Sequence, residues 1–158
     1  MRCLILDDDE TPRVLMERLI NRAGHRAIAV GEFARALEAI EEEEFDVAIV
    51  DMEMPDTSGE TAIAELRRIR PQLRILVVSG YSDRRHVLAA FDAGADGYIL
   101  KDELGDSLST SLQDVRAGNT PISARVAAVV VRQLRFRRFA EGSGVQISLG
   151  RVTPPRGR

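Results

Sequence analysis

Residues 47–55 read V-A-I-V-D-M-E-M-P, four apolar residues running straight into Asp51. An unbroken apolar run this short reads as a strand buried on both faces. Its carboxylate then falls at the strand's carboxyl end, where open parallel α/β sheets bind ligands. Two other stretches make the same move. C-L-I-L, Cys3 to Leu6, ends in Asp7-Asp8-Asp9, and Y-I-L, Tyr98 to Leu100, ends in Lys101. If the three strands are parallel, several carboxylates and one ammonium gather at one rim.

Working outward, Arg2 to Leu6 is the first strand and Asp7 to Thr11 a polar loop. Pro12 suits the first turn of a helix that places Leu15 and Leu19 on one face and stops at Gly24. Arg26 to Val30 is a weaker strand, and its small residues suit a sheet edge. Phe33, Leu37 and Ile40 repeat at helical spacing, and the Glu41 to Glu44 run that follows is a solvated helix end. Ile63, Leu66 and Ile69 mark a third helix, closed by Pro71. Ile75 to Val78 is a fourth buried strand and delivers Ser79-Gly80. Asp83 caps a fourth helix carrying Val87, Leu88 and Phe91, which ends at Gly94. After Lys101, Leu108, Leu112 and Val115 form the inner face of a fifth helix that ends at Gly118.

Five strands thus alternate with five helices, and right-handed crossovers make such a chain a doubly wound parallel sheet with helices on both faces. With the strand order 2-1-3-4-5 of flavodoxin-like sheets, a ligand sits above the first and third strands.

The net charge of −3 hides an asymmetry. Residues 1–117 hold 14 Arg/Lys and 24 Asp/Glu, giving −10, whereas residues 118–158 hold 8 Arg and 1 Glu, giving +7. A sign change at one point marks a boundary. We expect a main domain over 1–118, a connector and C-terminal helix over 119–140, and a flexible basic tail over 141–158. Ser123 is placed to cap that extra helix, and Val126, Val129, Val130 and Leu134 form its apolar stripe. The stripe serves either a second copy in a homodimer or the helix's own domain. No apolar run reaches the ~20 residues of a membrane span, and the N-terminus turns polar too early for a signal peptide, so a cytoplasmic setting without membrane contact is expected. Cys3 reads as a small buried hydrophobe.

Clustered carboxylates repel one another, and a cation resolves the conflict. Magnesium suits them, because it prefers oxygen ligands and commonly shares its shell with a phosphate. His25 and His86 fall far apart in the sequence, which leaves zinc too few ligands. A carboxylate beside Mg²⁺ can act as a nucleophile on phosphorus, a reaction that also needs positive charge and a hydroxyl donor on the phosphoryl oxygens. Lys101 and Ser79 supply these from neighbouring strand ends.

The combination of L-I-L-D-D-D, V-D-M-E-M-P-D-T-S-G, V-V-S-G and G-A-D-G-Y-I-L-K-D resembles the receiver domain of two-component response regulators over residues 1 to about 118. The resemblance implies that Asp51 is the phosphoacceptor, fed by a histidine kinase, a phosphotransfer protein or a small phosphodonor. It implies that Asp7, Asp8, Asp51 and the Glu53 main-chain carbonyl hold Mg²⁺, with Asp9 less directly involved. Ser79 and Lys101 would contact the phosphoryl oxygens, and Tyr98 would turn inward as the switch when Ser79 moves. The output face would be the fourth helix, fifth strand and fifth helix. Glu53 and Tyr81 stand where family members tune phosphoryl lifetime. Such a protein phosphorylates and dephosphorylates itself and is not otherwise an enzyme.

Lys101-Asp102, where many receivers have Lys-Pro, and the segment G-N-T-P-I-S-A-R-V-A resemble regulators of the LuxR/FixJ type. Their DNA-reading helix-turn-helix is expected to be missing here, so DNA would be reached only through that module. The alternative is a stand-alone receiver that acts through protein partners. Tyr98 also reads as a strand aromatic packed on Val87 or Leu88. A competing enzyme reading takes Asp7-Asp8-Asp9-Glu10-Thr11 as the D-x-D-x-T signature of haloacid-dehalogenase phosphatases, with Asp7 as nucleophile and Asp9 as acid/base. It leaves Asp51 unexplained.

Overall fold

The computed structural model describes residues 1–143. Five strands, β1 (Arg2–Leu6), β2 (Arg26–Val30), β3 (Val47–Val50), β4 (Arg74–Ser79) and β5 (Gly97–Leu100), form one parallel sheet in the order β2-β1-β3-β4-β5. The helices are α1 (Glu10–Arg22), α2 (Phe33–Glu42), α3 (Gly59–Ile69), α4 (Arg84–Ala93), α5 (Leu104–Arg116) and α6 (Ala124–Ser143). A 3₁₀ turn over Lys101–Glu103 leads from β5 into α5. This is the flavodoxin-like receiver fold with an extra C-terminal helix. Helix α6 runs to Ser143, into the stretch expected as a tail over 141–158, and residues 144–158 of that stretch lie outside the described residues.

Alternation along each strand builds two cores. Leu4, Leu6, Ala48, Val50, Ile75, Val77 and Tyr98 face one way, toward α2, α3 and α4. Cys3, Ile5, Val47, Ile49, Leu76, Val78 and Ile99 face the other, toward α1 and α5. A strand buried on both faces has no polar position to spare, which is why these runs read as continuously apolar. β2, paired only on β1, is half-buried, as an edge strand is.

Two helix faces differ from expectation. In α1 the buried residues are Met16 and Ile20, while Leu15 is 43% exposed. Leu15/Leu19 and Met16/Ile20 share the same i, i+4 spacing, so periodicity alone did not separate them. In α6, Leu134 is 58% exposed and Gln133 is buried in its place. The valine stripe is used within the chain: Val126 is fully buried in the first core, and Val129 and Val130 pack against it.

The connector is tied to the sheet. The Tyr98 N–H donates to Pro121 O (2.9 Å), and the Ser123 N–H donates to Tyr98 O (3.1 Å), making Ile122 a one-residue bridge alongside β5. The Ser123 hydroxyl accepts from Leu100 N (3.0 Å) and donates to the Glu103 carboxylate. Ser123 is therefore a tie between strand and turn, beyond the helix cap expected of it. Arg125 pairs with Asp102 at 2.5 Å.

Gly59 opens α3 against the backbone that carries Asp51. A Cβ there would lie 2.4 Å from Met52 Cα and 2.7 Å from the Asp51 carbonyl oxygen. Forcing one in displaces main chain, so Gly59→Ala is expected to destabilise by about 1–3 kcal/mol or more. Urea unfolding would show this as a lowered midpoint at an unchanged slope.

Candidate functional site

Register brings the site together. Leu6 pairs with Val50, Val50 with Val77, and Ser79 with Leu100. The next residues, Asp7, Asp51 and Lys101, therefore emerge at the same end of the sheet, the first two from adjacent strands and Lys101 from β5, with β4 between. Lys101, the only lysine in the sequence, places Nζ 2.9 Å from Asp7 Oδ2 and 3.2 Å from Asp51 Oδ2. Asp7 and Asp51 are buried, and Asp8 is exposed at the rim. One carboxylate oxygen from each of Asp7, Asp8 and Asp51 lies within 4.8 Å of the other two. Asp9, by contrast, caps α1 by accepting from Thr11 N, while its own N–H donates to Asp7 Oδ1 (2.9 Å). A capping carboxylate is not poised as the acid/base of a phosphatase.

Burial, with Asp7's charge added, pushes the Asp51 carboxyl up from its ordinary 3.8 to about 6, against the pull of Lys101 and a hydrogen bond from the Glu53 N–H. For the Lys101 ammonium, burial acts downward but is outweighed by Asp7 and Asp51, so its affinity for the proton is raised. The pocket thus holds more negative charge than one ammonium satisfies. Asp7 Oδ2, buried, has this ion contact but no aligned hydrogen bond. An all-oxygen donor set with an under-satisfied buried acceptor fits a hard divalent cation such as Mg²⁺.

Ser79, fully buried at the end of β4, accepts the Tyr81 N–H on Oγ (3.1 Å). Tyr98 is turned fully inward; its hydroxyl donates to Tyr81 O (2.6 Å), and its ring lies 6.3 Å from that of Phe91. Burial pushes the Tyr98 phenol up to about 12. It therefore stays a donor at any physiological pH. Glu53 and Tyr81 both present exposed side chains beside the pocket, and His86, which the sequence reading discounted, joins them. The His86 ring stacks on Tyr81 at 4.2 Å and bonds Glu53 Oε1 and Asp83 Oδ2, each at 2.6 Å. The Asp83/His86 spacing at a helix start is visible in sequence, but the link to Glu53, 33 residues away, is not.

Helix α4 packs on α6, and Arg84 Nε donates to Gln133 Oε1 (2.9 Å). Among the described residues, no helix is long and apolar enough to cross a membrane.

Two buried carboxylates at the ends of adjacent strands, bridged by a lysine, with a serine ending the next strand of a sheet ordered 2-1-3-4-5, define a receiver. The chain belongs to the response regulator receiver domain family, whose model matches residues 3–113. It is similar to the DNA-binding transcriptional activator DevR/DosR of Mycobacterium tuberculosis, at 30% identity over 85% of this chain and 63% of that one. It also matches the sensory/regulatory protein RpfC of Xanthomonas campestris, at 29% identity over 83% of this chain. The chain spans 19% of RpfC's length. Among solved structures, a LuxR-family two-component response regulator from Aurantimonas superposes with a TM-score of 0.78 at 26% identity, over 85% of this chain and 97% of that one. The response regulator TrrA of Thermotoga maritima, in complex with Mg²⁺ and BeF, gives 0.65 at 27% identity, over 72% and 97%. This is a receiver domain of two-component systems, related to transcriptional regulators.

A carboxyl raised in the folded state favours folding below its unfolded value and loses that contribution as pH rises through the folded one. For Asp51 the window runs from 3.8 to about 6. Asp51→Asn, which removes the charge, is therefore expected to melt above the wild type near neutral pH without added metal. The gap should narrow as pH falls from about 6 to about 4, as thermal scans across that range would read.

Proposed function

We propose that Asp51 accepts a phosphoryl group from a histidine kinase, a phosphotransfer protein or a small phosphodonor, and that this switches the α4-β5-α5 face to control an output, transcription. The observation that carries the reading is the Lys101 ammonium set between Asp51 and the buried Asp7.

An Asp51 oxygen attacks phosphorus, the bond to the donor breaks with its electron pair leaving on the donor, and an acyl phosphate results. Lys101 neutralises charge on the phosphoryl oxygens, and Ser79 Oγ stands one strand away to donate to them. Asp7, Asp8, Asp51 and the Glu53 main-chain carbonyl would hold Mg²⁺, which supplies further positive charge on those oxygens. Gain and loss of the group are the chain's own chemistry, with no other substrate turned over. It works in the cytoplasm and reaches DNA through an output module.

The added charge of roughly −1.5 to −2 favours Ser79 rotating toward the phosphoryl oxygens. Ser79 Oγ now accepts from Tyr81 N, and Tyr81 O receives the Tyr98 hydroxyl, so that rotation reaches β5 and α4 through two hydrogen bonds. Tyr98 serves both as switch and as a core aromatic, because its ring and its hydroxyl do different jobs. Helix α6 rests on α4, and Val126, Val129 and Val130 of the stripe pack within the chain, while Leu134 of the same stripe is exposed and open to a second copy.

Incubation with acetyl phosphate and Mg²⁺ is expected to give an acid-stable, base-labile label on the wild type and none on Asp51→Asn. Label on the variant would send the phosphoryl group elsewhere. Mg²⁺ binds the folded state only and is expected to raise the wild-type melting temperature, but much less that of Asp51→Asn. Calorimetry with and without the metal separates these outcomes.

A further inference from the structure

One group beside the phosphoryl pocket has no part in the scheme above. His86 lies in the first turn of α4, with its side chain largely buried, and each ring nitrogen faces a carboxylate oxygen at 2.6 Å: Nδ1 faces Asp83 and Nε2 faces Glu53. Each ring nitrogen is thus within hydrogen-bond reach of a carboxylate. The Tyr81 ring lies over the imidazole with only 9° between planes. Asp83 also accepts the His86 N–H, and hydrogen bonds from His86 outweigh burial and hold the Asp83 carboxyl below its ordinary value. The ring is thus held from one side by Asp83 and from above by Tyr81, and its remaining nitrogen is spent on Glu53.

Residue 53 touches the phosphoacceptor directly. Its N–H donates to the Asp51 carboxylate, while its side chain turns away to His86. The two together line a cleft of about 330 Å³ with Met52, Met54 and Arg85. Glu53 is two residues along from Asp51, and its carboxylate, released from the imidazole, is the base nearest in sequence for water at Asp51. There it could act as general base. Water oxygen would bond to phosphorus and pass a proton to Glu53. The bond from phosphorus to the Asp51 oxygen would break with its electron pair returning to that carboxylate, and inorganic phosphate would leave.

We propose that His86 is a positioning residue that withholds the Glu53 carboxylate from this water and so lengthens the life of the phosphoryl group on Asp51. The inference rests on Asp51 being the phosphoacceptor. It adds that a side chain of α4, the helix on which α6 packs, sets the duration of the signal.

The test uses the full chain, labelled with acetyl phosphate and then freed of donor, with loss of label followed over time. His86→Ala is expected to lose label about fivefold faster, equivalent to about 1 kcal/mol in activation free energy. His86→Gln, whose amide can donate near the position of Nε2, is expected to restore a slow rate. Glu53→Ala and the Glu53→Ala/His86→Ala pair are expected to be slow and equal. A His86→Ala rate no faster than wild type overturns the proposal, as does an acceleration that survives in the Glu53→Ala background, which would mark His86 as a merely structural brace of α4.

A second readout needs no phosphoryl group. The chain has two histidines, so imidazole NMR resolves His86 readily. Its ring signals are expected to shift in Glu53→Ala, and unchanged signals overturn the contact. A wild type that takes no label would remove the receiver chemistry itself, and the proposal with it, while the ring signals would still report whether the contact exists.

Discussion

The structure turns on one ammonium held between two buried carboxylates. Asp7 and Asp51 stand at the ends of adjacent strands, where register leaves them no choice but proximity, and Lys101 reaches both from β5, two strands beyond β3. Two like charges out of water destabilise a fold unless a counter-charge is fixed beside them. The sheet supplies that charge but not enough of it, as the raised Asp51 carboxyl shows. What is a cost to stability is also a chemical property: a buried group of carboxylates beside one ammonium suits a hard cation.

Around that pocket the hydrogen bonds run in a continuous circuit. The Glu53 N–H meets Asp51, the Glu53 side chain meets His86, His86 lies under Tyr81, and Tyr81 is bonded to both Ser79 and Tyr98. The loops after β3 and β4 are therefore coupled through side chains as well as through the sheet. From Tyr98 the path continues along its main chain to the connector, and from α4 through Arg84 to Gln133 of α6. Two routes, one by backbone and one by side chain, lead from the pocket to the last helix.

Much of this was legible in the sequence because it is local. Each strand is a short apolar run, each run ends in the residue that matters, and parallel pairing does the rest; Asp7, Asp51 and Lys101 needed no long-range guess. Caps at Asp83 and Gly94 were readable for the same reason, since a carboxylate at a helix start and a left-handed glycine at its end act within a few residues. Choices between equivalent spacings were not readable. Leu15/Leu19 and Met16/Ile20 differ only in rotation about the helix axis, and Leu134 lost its inward place to Gln133, which has Arg84 as partner. The Glu53–His86 contact joins the loop after β3 to the first turn of α4, which meet only once the sheet has formed. Tyr98 invited a choice between switch and core; its ring lies fully buried in the first core, and its hydroxyl is bonded to Tyr81 O.

The bridge at Ile122 has a bearing on how this molecule behaves in company. An open sheet exposes a line of unpaired amides and carbonyls on each outer strand, and such a line recruits strands from other molecules. Here the connector satisfies the Tyr98 amide and carbonyl from outside, with Gly97 letting Pro121 come close. Among the described residues, no further strand or bridge pairs with β2 on its outer side. Cross-β stacking between molecules is thereby discouraged on the β5 side, and the same short segment that leads to the last helix acts as the sheet's selvedge.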